Sequence, residues 1–261
     1  MGISPLLLIA GAGMLFVGAA PIAYWKIKKK VANRFFLLGA VFWAIAFAIK
    51  LVMDFSVTGP IKSTLNLFPY TFFLVLWALY FGLRTGLFEC AVPYLLAGKS
   101  GLSKVSFNEA MAFGLGFGGT EAMVLGAVSF LSMSVLILNP SLLAQLSPAQ
   151  AEVLRVSSEN ALVVSAAAIL ERASALLIHA LACLLVFAAI AQKKPAFLLE
   201  AIVLKAVLDG AVVLVRMTEL DIMGKLVLVE IPILLLGFVS AFGISKISEM
   251  GVIGPRRDFL D

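Results

Sequence analysis

Histidine occurs once in these 261 residues, at position 179, and cysteine only twice, at positions 90 and 183. With one imidazole, the chain lacks the several His or Cys side chains on which tight zinc binding usually draws. Both cysteines fall inside apolar segments, so free thiols are expected and no disulfide. Charge is scarce as well. Asp, Glu, Lys and Arg make up 13% of the chain, where a soluble domain carries about 25%. Apolar residues make up 62%. That balance excludes an ordinary soluble domain and implies a polytopic membrane protein whose first partner is the lipid bilayer. The net charge of +5 does not imply nucleic acid, because the basic residues gather on short loops, where membrane proteins keep them. The start, Met-Gly-Ile-Ser-Pro-Leu, has no basic n-region, and its sixth residue is neither Ser nor Thr. Neither a signal peptide nor a myristoylation site is expected, and the first apolar segment is expected to stay in the protein.

Seven segments are long and apolar enough to cross a hydrocarbon core of about 30 Å. They run Ile3–Trp25, Phe35–Met53, Phe68–Leu96, Phe107–Leu138, Ala166–Ala191, Ala196–Met217 and Ile222–Ile247. The fold class expected is all-α: one transmembrane bundle of about seven spanning helices over residues 1–261. The third segment exceeds a span, which predicts tilt or a break near Pro93. The stretch Asp54–Thr64 holds Gly59-Pro60 and reads as a turn-bearing loop. Residues 141–165 are more polar, and Ser147 is placed to cap a short amphipathic helix ending near Ser158. The tail from Ser248 is polar. No internal repeat is visible, which removes the main sequence support for a transporter of inverted repeats.

Orientation follows from the Lys and Arg residues. With the N-terminus outside, the inner loops and tail hold Lys26, Lys28, Lys29, Lys30, Arg34, Lys99, Lys104, Lys193, Lys194, Lys246, Arg256 and Arg257, against Lys62, Arg155, Arg216 and Lys225 outside. The bias of 12 to 4 predicts N-terminus outside and C-terminus cytoplasmic. Lys50, near the outer end of its segment, is expected to snorkel to the surface.

The remaining charges lie at membrane depth. Arg172, Ala175, His179, Ala182 and Val186 form one helical stripe, with Glu171 beside it. At a common level stand Glu89 in the third segment, Glu121 in the fourth, His179 in the fifth, and Lys205 and Asp209 in the sixth. Each charge costs about 2.5–3.5 kcal/mol at the bilayer centre on insertion scales, so these groups should face the bundle interior and one another. The plain reading is structural pairing of the carboxylates with Lys205, Arg84 and Arg172, worth roughly 1 kcal/mol per contact. Five ionisable groups at one depth favour a functional site or a former one. Gly82, Gly86, Glu89 and Pro93 share a stripe of the third helix, and Gly114, Gly118, Ala122 and Gly126 form a ridge on the fourth. The two are expected to pack closely and set Glu89 and Glu121 at one interface. Lys205, one turn before Asp209, is expected to reach Asp209 or a carboxylate across the interface.

At these residues the sequence resembles the YhfC-like family of intramembrane metalloproteases, related to the Cys-a-a-X endopeptidase and PrsW groups. Four runs carry the resemblance, which covers nearly the whole chain in segment order. The run from Glu171-Arg172 to His179-Ala-Leu-Ala is close to the family's Glu-Arg…His-x-Ala-Leu-Ser. Gly116-Phe117-Gly118-Gly119-Thr120-Glu121-Ala122 is similar to Gly-His-Gly-Gly-x-Glu-Ala. Gly86-Leu87-Phe88-Glu89-Cys90 through Pro93-Tyr94 stands against Phe-Glu-Glu-x-x-Arg-Tyr, and Leu204-Lys205 through Asp209 against Leu-His-x-x-x-Asp. The resemblance implies that Cys90 replaces the water-activating Glu, that Pro93 replaces an Arg, and that Phe117 and Lys205 replace two histidines. What remains of the implied site is Glu89, Glu121, His179 and Asp209; a metal, if held, would fall to Glu89, His179 and Asp209.

Three functions follow. The favoured one is a protease-like scaffold whose metal site has decayed, with Lys205 supplying the lost cation's charge. Such a protein would be a non-catalytic subunit, or a binder of helices or lipids, in a multi-pass membrane complex of the prokaryotic cytoplasmic membrane, with no cofactor. The second is an active intramembrane metalloprotease with an altered site and zinc as cofactor. The third is a small-molecule or ion carrier that uses the buried network of Arg84, Glu89, Glu121, Glu171, Arg172, His179, Lys205 and Asp209.

Overall fold

The computed structural model describes residues 3–254. Arg256 and Arg257 of the expected inner tail lie outside the described residues. Ten α-helices follow one another: α1 (Leu8–Lys29), α2 (Asn33–Ser56), α3 (Thr58–Leu65), α4 (Tyr70–Gly86), α5 (Val92–Gly98), α6 (Phe107–Leu138), α7 (Pro148–Glu159), α8 (Ala161–Gln192), α9 (Pro195–Arg216) and α10 (Ile222–Met250). Among the described residues there is no strand. Six helices are long and apolar enough to cross a membrane: α1, α2, α4 with α5, α6, α8 and α10. The seventh, α9, has 22 residues, about 33 Å at 1.5 Å each, but carries Glu200, Lys205, Asp209 and Arg216.

Local chemistry sets the boundaries. Ser106 caps α6: its Oγ accepts from the Glu109 amide at 3.4 Å, and Glu109 Oε2 accepts from the Ser106 amide at 2.8 Å. Ser147 and Gln150 form the same reciprocal pair at the start of α7, so the expected amphipathic helix is present from Pro148 to Glu159. Lys30 and Lys193 end α1 and α8 at left-handed φ of 52° and 53°. Two expectations are corrected. The Asp54–Thr64 stretch is helical, because Gly59-Pro60 falls in the first turn of α3, where the missing proline N–H has no intrahelical partner to lose. Helix α8 begins at Ala161, five residues before the apolar run reads as continuous.

The long third segment does break, as a π-helical turn at Leu87–Ala91 between α4 and α5. Pro93 follows it and has no N–H to offer the carbonyl four residues earlier, at Glu89. A widened turn absorbs that loss and re-aims the side chains on it.

Helix α8 is the axis of the bundle. Of its apolar window 83% is buried, against 11–33% for the other five candidate spans. Helices α1, α6, α9 and α10 pack around it, and α4 reaches the centre through α9. Large side chains such as Phe16, Phe72, Leu131 and Phe238 point outward from the bundle, the distribution a lipid-facing rim requires. The glycine faces pack differently from the expectation. Gly82 and Gly86 receive α9, where added Cβ atoms would meet Ala206 O at 2.3 Å and Ile202 O at 2.6 Å. Gly114 and Gly118 receive α8 instead of the third segment, and a Cβ on Gly118 would lie 2.8 Å from His179 Cβ. Each glycine face lets the backbone of its partner helix come into direct contact.

Candidate functional site

Four α-helices and the π-turn deliver charged groups to one place. On α8, Arg172 and His179 lie two turns apart on the same face. Gly118 lets α6 approach until Glu121 stands beside the imidazole. The π-turn turns Glu89 inward, to 5% exposure, with Cys90 fully buried beside it. Helix α9 adds Lys205, 2% exposed, and α2 adds Trp43 and Lys50.

Two carboxylates are the hubs. Glu89 takes the Lys205 ammonium on Oε2 at 2.8 Å and the Lys50 ammonium on Oε1. Glu121 accepts from Arg172 on Oε1 at 2.8 Å and from the Trp43 indole N–H on Oε2 at 3.0 Å. Its Oε2 also lies 3.2 Å from His179 Nε2. Glu171 pairs with the other arm of Arg172. His179 thus bridges the hubs, with Nδ1 3.7 Å from Glu89 Oε2. The Lys205 ammonium lies 3.3 Å from both ring nitrogens. A donor in the ring plane would sit close to one nitrogen and well away from the other, so the ammonium lies over the imidazole face. The ring lies between the two acids, with Nε2 nearer Glu121 and Nδ1 nearer Glu89. Phe117 closes the other side, with ring centroids 5.3 Å apart.

Three cations, Lys50, Lys205 and Arg172, meet three carboxylates, Glu89, Glu121 and Glu171, and Asp209 adds a fourth acid to the cavity wall. Pairing with opposite charges is the form in which buried charges persist in a membrane interior. The set lines a cavity of about 470 Å³ that extends past Asp209 to Arg216 and Met217 at the end of α9.

Of the residues singled out from sequence, Glu89, Glu121, Glu171, Arg172, His179 and Lys205 form one connected cluster. Lys205 reaches Glu89 across the helix interface. Asp209 stands on the same face of α9 and accepts from the Thr85 hydroxyl. Arg84 lines the cavity but pairs with the exposed Asp54, which is outside the lining. Lys50 corrects an expectation: it turns inward onto Glu89, with its side chain 18% exposed. Helix α2 continues six residues beyond it, to Ser56, so the surface is farther than the apolar run suggested. Trp43 and Thr85 were not legible as site residues, since an indole and a hydroxyl in an apolar helix are ordinary membrane composition.

Three donors converging on a point are the least a metal site requires. Among the described residues no group of three or more His, Cys, Asp and Glu is close enough to share a metal ion.

Comparison with known proteins places this arrangement. No curated protein and no solved structure matches the chain. The family model of the YhfC intramembrane metalloproteases matches residues 13–233, a stretch that contains every residue of the cluster. The chain belongs to the YhfC intramembrane metalloprotease family.

Proposed function

We propose that this member of the family keeps the protease scaffold without its metal chemistry and acts as a non-catalytic subunit, or a helix- or lipid-binding protein, of a membrane complex. The observation that carries the reading is the Lys205 ammonium 2.8 Å from Glu89 Oε2 and over the face of His179. A divalent ion bound by Glu89, His179 and Asp209 would need that same volume, and an ammonium there repels it. The donor set as arranged does not fit a metal: one imidazole, carboxylates already neutralised by Lys and Arg, and Cys90 in the position that the family resemblance gives to a water-activating acid. Lys205 supplies the positive charge that otherwise holds Glu89 and Asp209 together.

The same reading sets the protein in the prokaryotic cytoplasmic membrane with its N-terminus outside and C-terminus cytoplasmic, on the basic bias of its loops. The test of function is proteolysis: the protein in lipid nanodiscs, with a panel of transmembrane peptides, with and without added zinc. No cleavage is expected. Cleavage abolished by Glu89→Gln would establish instead the second reading, an active metalloprotease with an altered site, which family membership favours.

A further inference from the structure

The end of the bundle away from the cavity mouth carries a separate site. Helix α1 ends there in Lys26, Lys28, Lys29 and Lys30, α2 begins at Asn33, and α5 passes through a tight turn at Gly101–Lys104 into α6. Between α2, α5 and that turn lies a groove of about 530 Å³, lined by Arg34, Leu38, Phe42, Leu96, Lys104 and Glu109 among others. That volume lies within the roughly 300–1,000 Å³ usual for small-molecule sites.

The lining is ordered along the helix axis. Arg34, Leu38 and Phe42 follow one another at four-residue spacing on one face of α2. The groove therefore passes from a guanidinium at the helix end to an aromatic ring about 12 Å deeper. Lys104, from the Gly101–Lys104 turn, and Leu96, from α5, line the same groove. Among the described residues neither Arg34 nor Lys104 forms an ion pair; Arg34 lies over the Phe35 ring at 4.7 Å. The one acid on the lining, Glu109, has Oε2 engaged by the Ser106 amide and hydroxyl at 2.8 and 2.9 Å.

We propose that this groove binds an anionic phospholipid, with the phosphate between Arg34 and Lys104 and an acyl chain along Leu38 and Phe42. Basic pockets between spanning helices at the membrane surface suit acidic head groups. A free phosphate has no use for the apolar lower part, and a zwitterionic lipid gains less from two cations. The site is separate from the buried charge network and does not depend on how that network is read.

Native mass spectrometry of the detergent-purified chain tests the proposal. Phosphatidylglycerol, phosphatidylcholine with the same acyl chains, and inorganic phosphate are offered separately. Phosphatidylglycerol should be retained roughly tenfold better than phosphatidylcholine, since both groove cations attract the net negative head group, and phosphate should not be retained. Arg34→Gln with Lys104→Gln should bring phosphatidylglycerol down to the phosphatidylcholine level, while Lys28→Gln with Lys29→Gln should not. Both groove cations are exposed, and the melting temperature of each variant is read first; should the double variant not fold, Arg34→Gln alone is held to the same criterion. Equal retention of the two lipids, retention of phosphate alone, or an equal effect of the Lys28 and Lys29 pair overturns the site in favour of diffuse surface attraction.

Discussion

Replacing Lys205 by Met keeps the length of the side chain and removes its charge. The ammonium is 2% exposed at the level of the residue and 2.8 Å from Glu89 Oε2. Without it, Glu89 keeps Lys50 on its other oxygen, and Oε2 faces the imidazole with no cation. Breaking a buried pair from one side costs about 3–5 kcal/mol, because the other charge stays buried. Lys50 compensates in part, so the lower half of that range is expected. At about 2–4 °C per kcal/mol for a chain of this size, the full range corresponds to a fall of roughly 6–20 °C in melting temperature. Intrinsic-fluorescence melting in detergent reads it directly. Because the structure pairs Lys205 with Glu89, the compensating change is Glu89→Gln, which should recover part of the loss in the double variant. An unchanged melting temperature for Lys205→Met, or a double variant that melts at the sum of the two single losses, refutes charge replacement at this position.

Three further outcomes are expected. Gly118→Ala should destabilise the protein by about 1–3 kcal/mol in the same assay, because its new Cβ would lie 2.8 Å from His179 Cβ and neither helix backbone can yield; a neutral effect would mean that α6 and α8 are not held this close. Helix α7 should loosen in acid. The Arg155 guanidinium, bonded to Glu152 at 2.7 and 2.8 Å, holds that carboxyl below its ordinary 4.5. A carboxyl lowered on folding stabilises the helix above its unfolded pKa and loses that contribution as the pH falls through the folded value, so the protection factors of the α7 amides, corrected for intrinsic exchange at each pH, should be lower at pH 3 than at pH 7 while those of α8 are unchanged; equal protection at the two pH values contradicts it. A cysteine introduced at Lys28 should resist an impermeant thiol reagent applied from outside, and one at Arg155 should react; the reverse pattern inverts the orientation.

The architecture was legible because the bilayer demands it. Long apolar runs with charges at their ends admit few arrangements but a helical bundle, and capping residues such as Ser106 and Ser147 marked two starts. Gly59-Pro60 misled, because the pair that makes a turn between strands is also tolerated in the first turn of a helix. Membrane depth brought Glu89, Glu121, His179 and Lys205 to one level, since ionisable groups cannot face acyl chains. Depth says nothing about rotation round each helix axis. It therefore could not tell that Arg84 turns to Asp54 while Lys50 turns inward to Glu89, nor that the glycine faces of the third and fourth segments meet α9 and α8. Those choices depend on the π-turn at Leu87–Ala91 and on side-chain packing, which no local pattern encodes.

The central claim is that Lys205 occupies, with its charge, the place a metal would need between Glu89 and His179. The most direct measurement is elemental mass spectrometry of the protein purified without chelator and dialysed against zinc, beside His179→Ala. The account predicts far less than one metal per chain in both. One metal per chain in the native protein, lost in His179→Ala, would contradict it and return the chain to the metalloproteases in activity as well as in fold.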